Sequence, residues 1–303
     1  MKRTFTLIPA LFLLPFLANS AGAAASSSVC VSADGPVPAY ADADSVRTLE
    51  SVSVHASRTA MSLGTSARIV TVMDSVAIAS IPAKTVNDLL KQIAGVDVRQ
   101  RGPMGMQTDI SMRGGTSDQI AILLNGINIS DPQTGHNAAD FPVSLSQIER
   151  IEVLEGPSSR VYGTSSLVGA VNVVTKKPDS NSVSAQVEGG SFGTFNTDLA
   201  YSYSAGRFGI LASVGTVRSD GYSRNLEGGL NSDYSGQKYF LLSEYDAPLF
   251  NLTFQGGFSV RDFRSNTFYS SKFDDQFEHT RKGTLSIKGE TKGKVIRFKP
   301  SVY

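Results

Sequence analysis

A single cysteine, Cys30, stands in a chain of 303 residues. One thiol cannot close an internal disulfide, so no oxidative staple supports the fold. As a lipid attachment site Cys30 is poorly placed, because Ser-Ser-Val precedes it and it lies well beyond the first apolar run. Histidine is almost as scarce. His55, His136 and His279 fall in three separate segments without HExxH or Cys/His spacing, which argues against a metal-catalytic centre. A surplus of one charge is missing too: 28 basic and 27 acidic side chains leave a formal net charge of +1. That gives no basic footprint for phosphate contacts, so nucleic acid is not an expected partner. The apolar run from Phe5 to Leu17 is broken by Pro9 and Pro15 and is shorter than the ~20 residues a spanning helix needs. Tryptophan is absent, and the aromatics are 16 Phe and 10 Tyr.

What is present begins with an export signal. Lys2 and Arg3 precede the apolar run, and small residues follow it, the arrangement of a secretory signal peptide. Cleavage fits after Ser20 or after Ala23, and residues 1–23 are assigned to the signal. Residues 24–48 are small, polar and proline-containing, which predicts a flexible periplasmic tail. In the segment 49–58, Val52 and Val54 alternate with Ser51 and Ser53 as in a short strand. Nothing in its flanks is an evident pairing partner, so Glu50, Ser51, Val52, Ser53 and Val54 are suited to capture by another protein's sheet edge.

Residues 59–178 form a small α+β domain in this reading. ARIVTVMD is a strand. KTVNDLLKQIAGV is a helix capped by Thr85, with Asp88 at its third position and Gly95 at its stop. Asn125-Gly126 between two apolar runs is a strong hairpin signal. IERIEVLEGP and SLVGAVNVVTKKP are further strands, with a short turn or helix at PSSRVYG between them.

From residue 179 the period changes to two. Val183, Ala185 and Val187 alternate with Ser184, Gln186 and Glu188; Leu199, Tyr201 and Tyr203 alternate with Ala200, Ser202 and Ser204; Phe208, Ile210, Ala212 and Val214 continue the pattern. KYFLLSEYD, LFNLTFQGGFSVR, GTLSIKG and KVIRFK follow it more loosely. Alternation in segments of about ten residues predicts outer-membrane barrel strands, and a soluble β-sandwich would show much the same pattern.

Two local signals point elsewhere and are weaker. Gly189 to Gly193 spells G-x-S-x-G, the hydrolase elbow, but that motif needs a helix after the serine, and the segment that follows is strand-like. A hairpin turn accounts for it better. Asp274, Asp275 and Glu278 could offer oxygen ligands to calcium, but they lack a defined loop geometry and fit a solvated loop. No cofactor is expected.

The stretch from Gly95 to Lys177 resembles the plug domain of TonB-dependent outer-membrane receptors almost end to end. The matching blocks are the helix ending at Gly95-Val96, Met112 to Gly115, Leu123 to Gly126, Ile148 to Pro157, Val161 to Gly163, and the run ending at Lys176. Glu155 departs from the basic residue the family often carries there, and Gly169-Ala170 replaces the commoner Gly-Gly. The block arrangement is most similar to the cobalamin-transporter branch.

The resemblance implies an α+β plug followed by antiparallel transmembrane β-barrel strands, with residues 179–303 too few for 22 strands of ~9–11 residues each. It implies an outer-membrane location in a Gram-negative bacterium, contact with outer-membrane lipid, and energised uptake of a large scarce nutrient such as cobalamin, haem or a ferric chelate. TonB is the implied energy-transducing partner, and by position residues 49–58 are similar to the coupling box. Plug apices would be Arg99 to Thr108 and Ser130 to Asp140, which makes Met104, Met106, Gln107, Asp131, Gln133, His136 and Asn137 candidate ligand contacts. Arg113, Arg150 and Glu152 become candidates for a polar network between plug and barrel. The alternatives are a receptor that senses or holds ligand without transport, and a non-functional truncated fragment. Catalysis is not expected.

Overall fold

The computed structural model describes residues 69–102, 106–131, 140–163, 165–225, 230–266, 272–273, 275–293 and 297–303, with the backbone alone at 53–54 and 61–62. The signal segment, the tail, Glu50, Ser51, Val52, His55, Met104, Gln133, His136, Asn137 and Asp274 lie outside the described residues.

Strand β1 (Ser53–Val54) pairs antiparallel with β2 (Met61–Ser62). The expectation that this segment has no partner in its own flanks is therefore corrected. The ladder is two residues long on each side, so few backbone bonds hold it.

The plug is built on a five-stranded mixed sheet. Its strands are β3 (Ile69–Asp74), β6 (Ile120–Leu124), β7 (Ile127–Asn128), β8 (Ile148–Glu155) and β9 (Gly169–Thr175), in the spatial order β3-β8-β9-β6-β7. The β6 and β9 sequences, IAILL and GAVNVVT, are buried at every position. Near-continuous apolar runs suit strands covered on both faces, and β6 and β9 are the one parallel pair of this sheet. Between β6 and β7 the chain turns on Asn125 (φ 52) and Gly126 (φ 76). Two consecutive left-handed residues are what a type I′ hairpin requires, as the Asn-Gly pair predicts.

Helix α1 (Ser75–Ser80) follows β3, with the Asp74 carboxylate accepting from the Ala77 amide. Helix α2 (Val86–Leu90) carries the expected capping box, in which the Thr85 hydroxyl accepts from the Asp88 amide and the Asp88 carboxylate accepts from the Thr85 amide. The helix is shorter than the sequence predicts. Three-residue turns at Gln92 and Ile93 replace its last part, and the chain leaves through Gly95 at φ +84. Two strands lie where the sequence pattern predicts none. β4 (Val96–Gln100) and β5 (Thr108–Met112) form a hairpin, so Arg99, Gln100 and Thr108 belong to its legs rather than to a loop. A short helix α3 (Ser159–Tyr162) links β8 to β9.

The second sheet is a meander in chain order: β10 (Ser182–Gly190), β11 (Thr194–Ala205), β12 (Phe208–Ser219), β13 (Tyr234–Asp246), β14 (Phe250–Asn266), β15 (Gln276–Thr291) and β16 (Ser301–Val302). All neighbours are antiparallel. Of KVIRFK, residues 297–299 are not in a strand and the rest lies outside the described residues; the last strand described is β16. β11 to β13 run 12, 12 and 13 residues, enough to cross a bilayer at a tilt. The sheet is open among the described residues, with β10 and β16 at its edges.

Its two faces differ. Leu199, Tyr201, Tyr203, Phe208, Tyr239, Tyr245, Leu252, Phe258, Leu285 and Ile287 are exposed. The alternate positions Ser202, Leu211, Phe240, Leu242, Gln255, Ser259, Arg261 and Ser286 are buried, and of these Leu211, Phe240, Leu242, Gln255, Ser259 and Arg261 meet the plug. An apolar outer face and a mixed inner face are the two sides of a barrel wall. Ser191 sits in the three-residue turn between β10 and β11, with Phe192 at φ 58 and Gly193 at φ 62. No helix follows it, so the elbow geometry of a hydrolase is not formed.

Candidate functional site

The Asn-Gly turn does more than reverse the chain, because its tip reaches the barrel wall. Asn125 Nδ2 donates to Gln255 Oε1 on β14 at 2.8 Å and to Thr175 Oγ1 at 3.0 Å, while Asn125 Oδ1 accepts from the Thr175 amide at 2.9 Å. Lys288 on β15 donates to the Asn125 carbonyl.

A second contact is made by the segment 140–147, which crosses the inner wall from β14 towards β10. The Asp140 carboxylate pairs with Arg261 Nη2 at 2.7 Å and accepts from Ser259 Oγ at 2.7 Å. Both ion-pair side chains are buried, at 4% and 7% exposure. Pro142 rests on Gly257, where any Cβ would fall 2.5 Å from the proline ring. Ser144 donates to Asp198 on β11 and faces Gly215 on β12. Gln147 Nε2 donates to Ser184 on β10 at 3.3 Å. Glycine inside a strand marks a place where another segment comes close; Gly215 leaves room for the Asp198 and Ser144 side chains and Gly257 for the Pro142 ring.

Burial acts to raise the Asp140 carboxyl, and Arg261, Lys282, Ser259 and Lys238 together outweigh it, so the group sits below its ordinary value of 3.8. The Asp140 carboxylate is therefore ionised at neutral pH. An uncompensated charge at this depth would be costly.

The third contact lies nearer the longer connections of the sheet. Gln107, held at φ 43, donates to Glu278 on β15 at 3.0 Å. Met106 is buried with Tyr234 and Phe263. Met106 and Gln107 are thus packed against the wall, which corrects the expectation that both are presented on an apical loop. Asp131 is half-buried and coupled electrostatically to Lys282.

Arg113, Arg150 and Glu152 are placed differently from expectation. Arg113 Nε pairs with Glu155 at 3.1 Å, and Arg150 pairs with Glu152 at 2.9 Å and Glu149 at 2.7 Å, all within the plug. Glu152 is fully buried and accepts from Asn172 Nδ2 at 3.0 Å. Asn172 Oδ1 in turn accepts from the Gly126 amide at 2.8 Å. The chain Arg150, Glu152, Asn172, Gly126 runs to the hairpin tip, and Asn125 carries it to Gln255. The network thus meets the barrel through the hairpin. Glu155 lies under Gly95, 3.1 Å from where a Cβ would stand, and takes Arg113 as its cation.

Gly169, where the sequence reads Gly-Ala, has a clear reason. A Cβ there would fall 2.5 Å from the Leu154 carbonyl and 2.5 Å from Met112 sulfur. Ala170 is fully buried.

Residues 62–170 match the TonB-dependent Receptor Plug Domain. The vitamin B12 transporter BtuB of Vibrio vulnificus is 31% identical over 239 residues, 77% of this chain and 38% of that protein. The chain belongs to the TonB-dependent receptors. BtuB of Vibrio cholerae is 28% identical over 197 residues, 63% of this chain and 32% of that protein. The receptor chain here spans less than two-fifths of the length of these relatives. Among solved structures, P. aeruginosa FpvA bound to heterologous pyoverdines has a TM-score of 0.63 at 17% identity, covering 81% of this chain and 35% of that one. The ferric-catecholate import receptor Fiu of E. coli K12 has a TM-score of 0.59 at 17% identity, covering 79% and 38%. At that identity the likeness is one of fold. These relatives are transporters and receptors by name. As a member of this family the receptor belongs to the outer membrane of a Gram-negative bacterium, and the apolar outer face of its second sheet is suited to lipid.

Proposed function

We propose that this receptor takes up a large, scarce nutrient across the outer membrane using energy delivered by TonB. Cobalamin is the first candidate, and haem and ferric chelates follow. The observation that carries the reading is the plug seated on the inner wall through Asn125, Asp140 and Gln107. In a complete barrel such a plug would close the lumen, and a closed lumen needs work to open. The named relatives add weight, since the two BtuB proteins are described as vitamin B12 transporters.

The segment Glu50 to Val54 serves as the coupling strand. Its Ser53–Val54 ladder to Met61–Ser62 is short, and strand addition by TonB would exchange those bonds for others of the same kind. Asp131, Gln133, His136 and Asn137, with Met104, are the proposed cargo contacts of the plug. Met106 and Gln107 are contacts to the wall. The reading includes no cofactor and no chemical step on the cargo.

The test is uptake of labelled cobalamin, haem and a ferric chelate by a Gram-negative host lacking its own receptors, with and without TonB. TonB-dependent accumulation of one of the three is expected. Surface binding without accumulation would instead make this a sensing receptor, and neither binding nor accumulation would overturn the reading.

A further inference from the structure

Segment 140–147 is held unequally along its length. At the β14 end lie the buried Asp140–Arg261 pair and the Ser259 hydroxyl. At the other end the side-chain bonds are Ser144 to Asp198 and Gln147 to Ser184. The inner positions of β10 to β12 near this end are Gln186, Glu188, Asn196, Asp198, Ser213 and Gly215, small or polar, with Val217 the apolar exception beside Tyr234.

A cavity of about 80 Å³ lies behind the segment, between α2, residues 141–146 and strands β10 to β14, reaching from Arg261 on β14 to Gln186 and Glu188 on β10. Asn87 and Arg261 are among its lining residues. Asn87 is 2% exposed and its Oδ1 has no hydrogen-bond partner among the described residues; Arg261 is 6% exposed and its Nε has none either. Buried polar atoms left unpaired are costly unless water reaches them. The cavity is polar and large enough to hold water that serves both atoms. Below it the plug meets the wall through Leu211, Phe240 and Leu242, and apolar contact is non-directional.

We propose that the plug opens along this seam: segment 140–147 peels from β10 to β12 while staying held at β14, and the cavity behind it widens into the passage. The proposal rests on the transport reading above. Peeling from the β10 end breaks bonds that water can replace, whereas release at β14 would strand Arg261 or Asp140 as a buried charge.

Two engineered disulfides in the full receptor test it, with Cys30 replaced by Ser. Ser144→Cys with Gly215→Cys locks the loose end, since a Cβ at 215 would stand 3.0 Å from Ser144 Oγ. Pro142→Cys with Gly257→Cys locks the tight end, where the corresponding Cβ atoms would be 3.1 Å apart, close to disulfide range. Surface binding of cargo is measured in each to confirm folding. The oxidised loose-end lock is expected to cut energised uptake at least about tenfold, with recovery on reduction, and the tight-end lock to change it less than about twofold. Full uptake with the loose end locked, or equal loss from both locks, would overturn the proposal. A Ser144→Cys single variant gives an independent readout. Its labelling by a small thiol reagent should speed up severalfold on energisation, and an unchanged rate would also overturn the seam. No energised uptake by the unmodified receptor would refute the transport reading itself, which separates the two failures.

Discussion

The plug sheet and the barrel sheet solve opposite problems with the same backbone. In the plug, β6 and β9 are buried on both faces, and the apolar side chains meet one another. In the barrel sheet, β11 shows its large side chains outward, with Leu199, Tyr201 and Tyr203 exposed and Ala200 and Ser202 buried. One sheet is stable because water is excluded from it, and the other because lipid covers its outer face. The inner face of the barrel sheet then serves as a second solvent for the plug. Leu211, Phe240 and Leu242 join the plug's apolar core, while Arg261, Ser259 and Gln255 supply its polar partners.

The sharpest way to break this relation is at Asp140. Asp140→Ala leaves Arg261 buried without its anion and should cost about 3–5 kcal/mol, read as protease sensitivity of the plug with the barrel's heat resistance retained. Asp140→Ala with Arg261→Met should recover most of that loss, because no charge is then stranded. The same carboxyl predicts a pH dependence. Its folded value is lowered below 3.8, so its contribution is fully present above that ordinary value and is lost as the pH falls through the lowered one. Plug stability in Asp140→Asn should therefore lack the part of the acid transition that this group contributes, which acid titration of both proteins would show.

The contrast between the two sheets is sharpened by charge on the outer face. Leu285 is 60% exposed on β15, and Leu285→Arg should cost about 2–4 kcal/mol in a bilayer near its midplane, measured by reversible unfolding from vesicles. Plug contacts should be unaffected. A loss of plug protease resistance in that variant would mean that Leu285 faces the plug and not the lipid.

Smaller effects test the local structure of the plug alone. Thr85→Ala removes the hydroxyl half of the capping box and should cost about 1 kcal/mol, seen as faster amide exchange in α2 with the barrel unchanged. At the bottom of the scale, Arg218 and Asp220 pair at 3.5 Å with both side chains more than two-thirds exposed. Arg218→Ala should change stability by less than about 1 kcal/mol, and a larger loss would mark a contact at the outer rim.

Much of this was legible in the residues, and the reasons are local. Thr85 and Asp88 stand three apart because one turn of helix brings them together. Asn125-Gly126 reads as a hairpin because both positions tolerate left-handed backbone. The alternation from Val183 to Val214 reads as a two-faced strand because side chains of a strand point to opposite sides in turn. The hairpin of β4 and β5 is not legible in the sequence because Arg99 to Thr108 has the polar and glycine composition of a loop. Its legs are fixed by pairing with each other, not by their own pattern.

What the tertiary structure alone decided is which residues meet across the two sheets. Asp140 and Ser259 are 119 positions apart, and nothing in the neighbourhood of either names the other. Arg150 and Glu152 are two apart and pair at once, yet their link to the barrel runs through Asn172 and the 125–126 turn, a path set by the order of strands in the plug sheet. Period and turn chemistry are properties of a few consecutive residues, so one sequence is enough to read them. The seat of the plug depends on strand order, register and the tilt of a wall against a domain, and those arise only when distant segments compete for the same buried space.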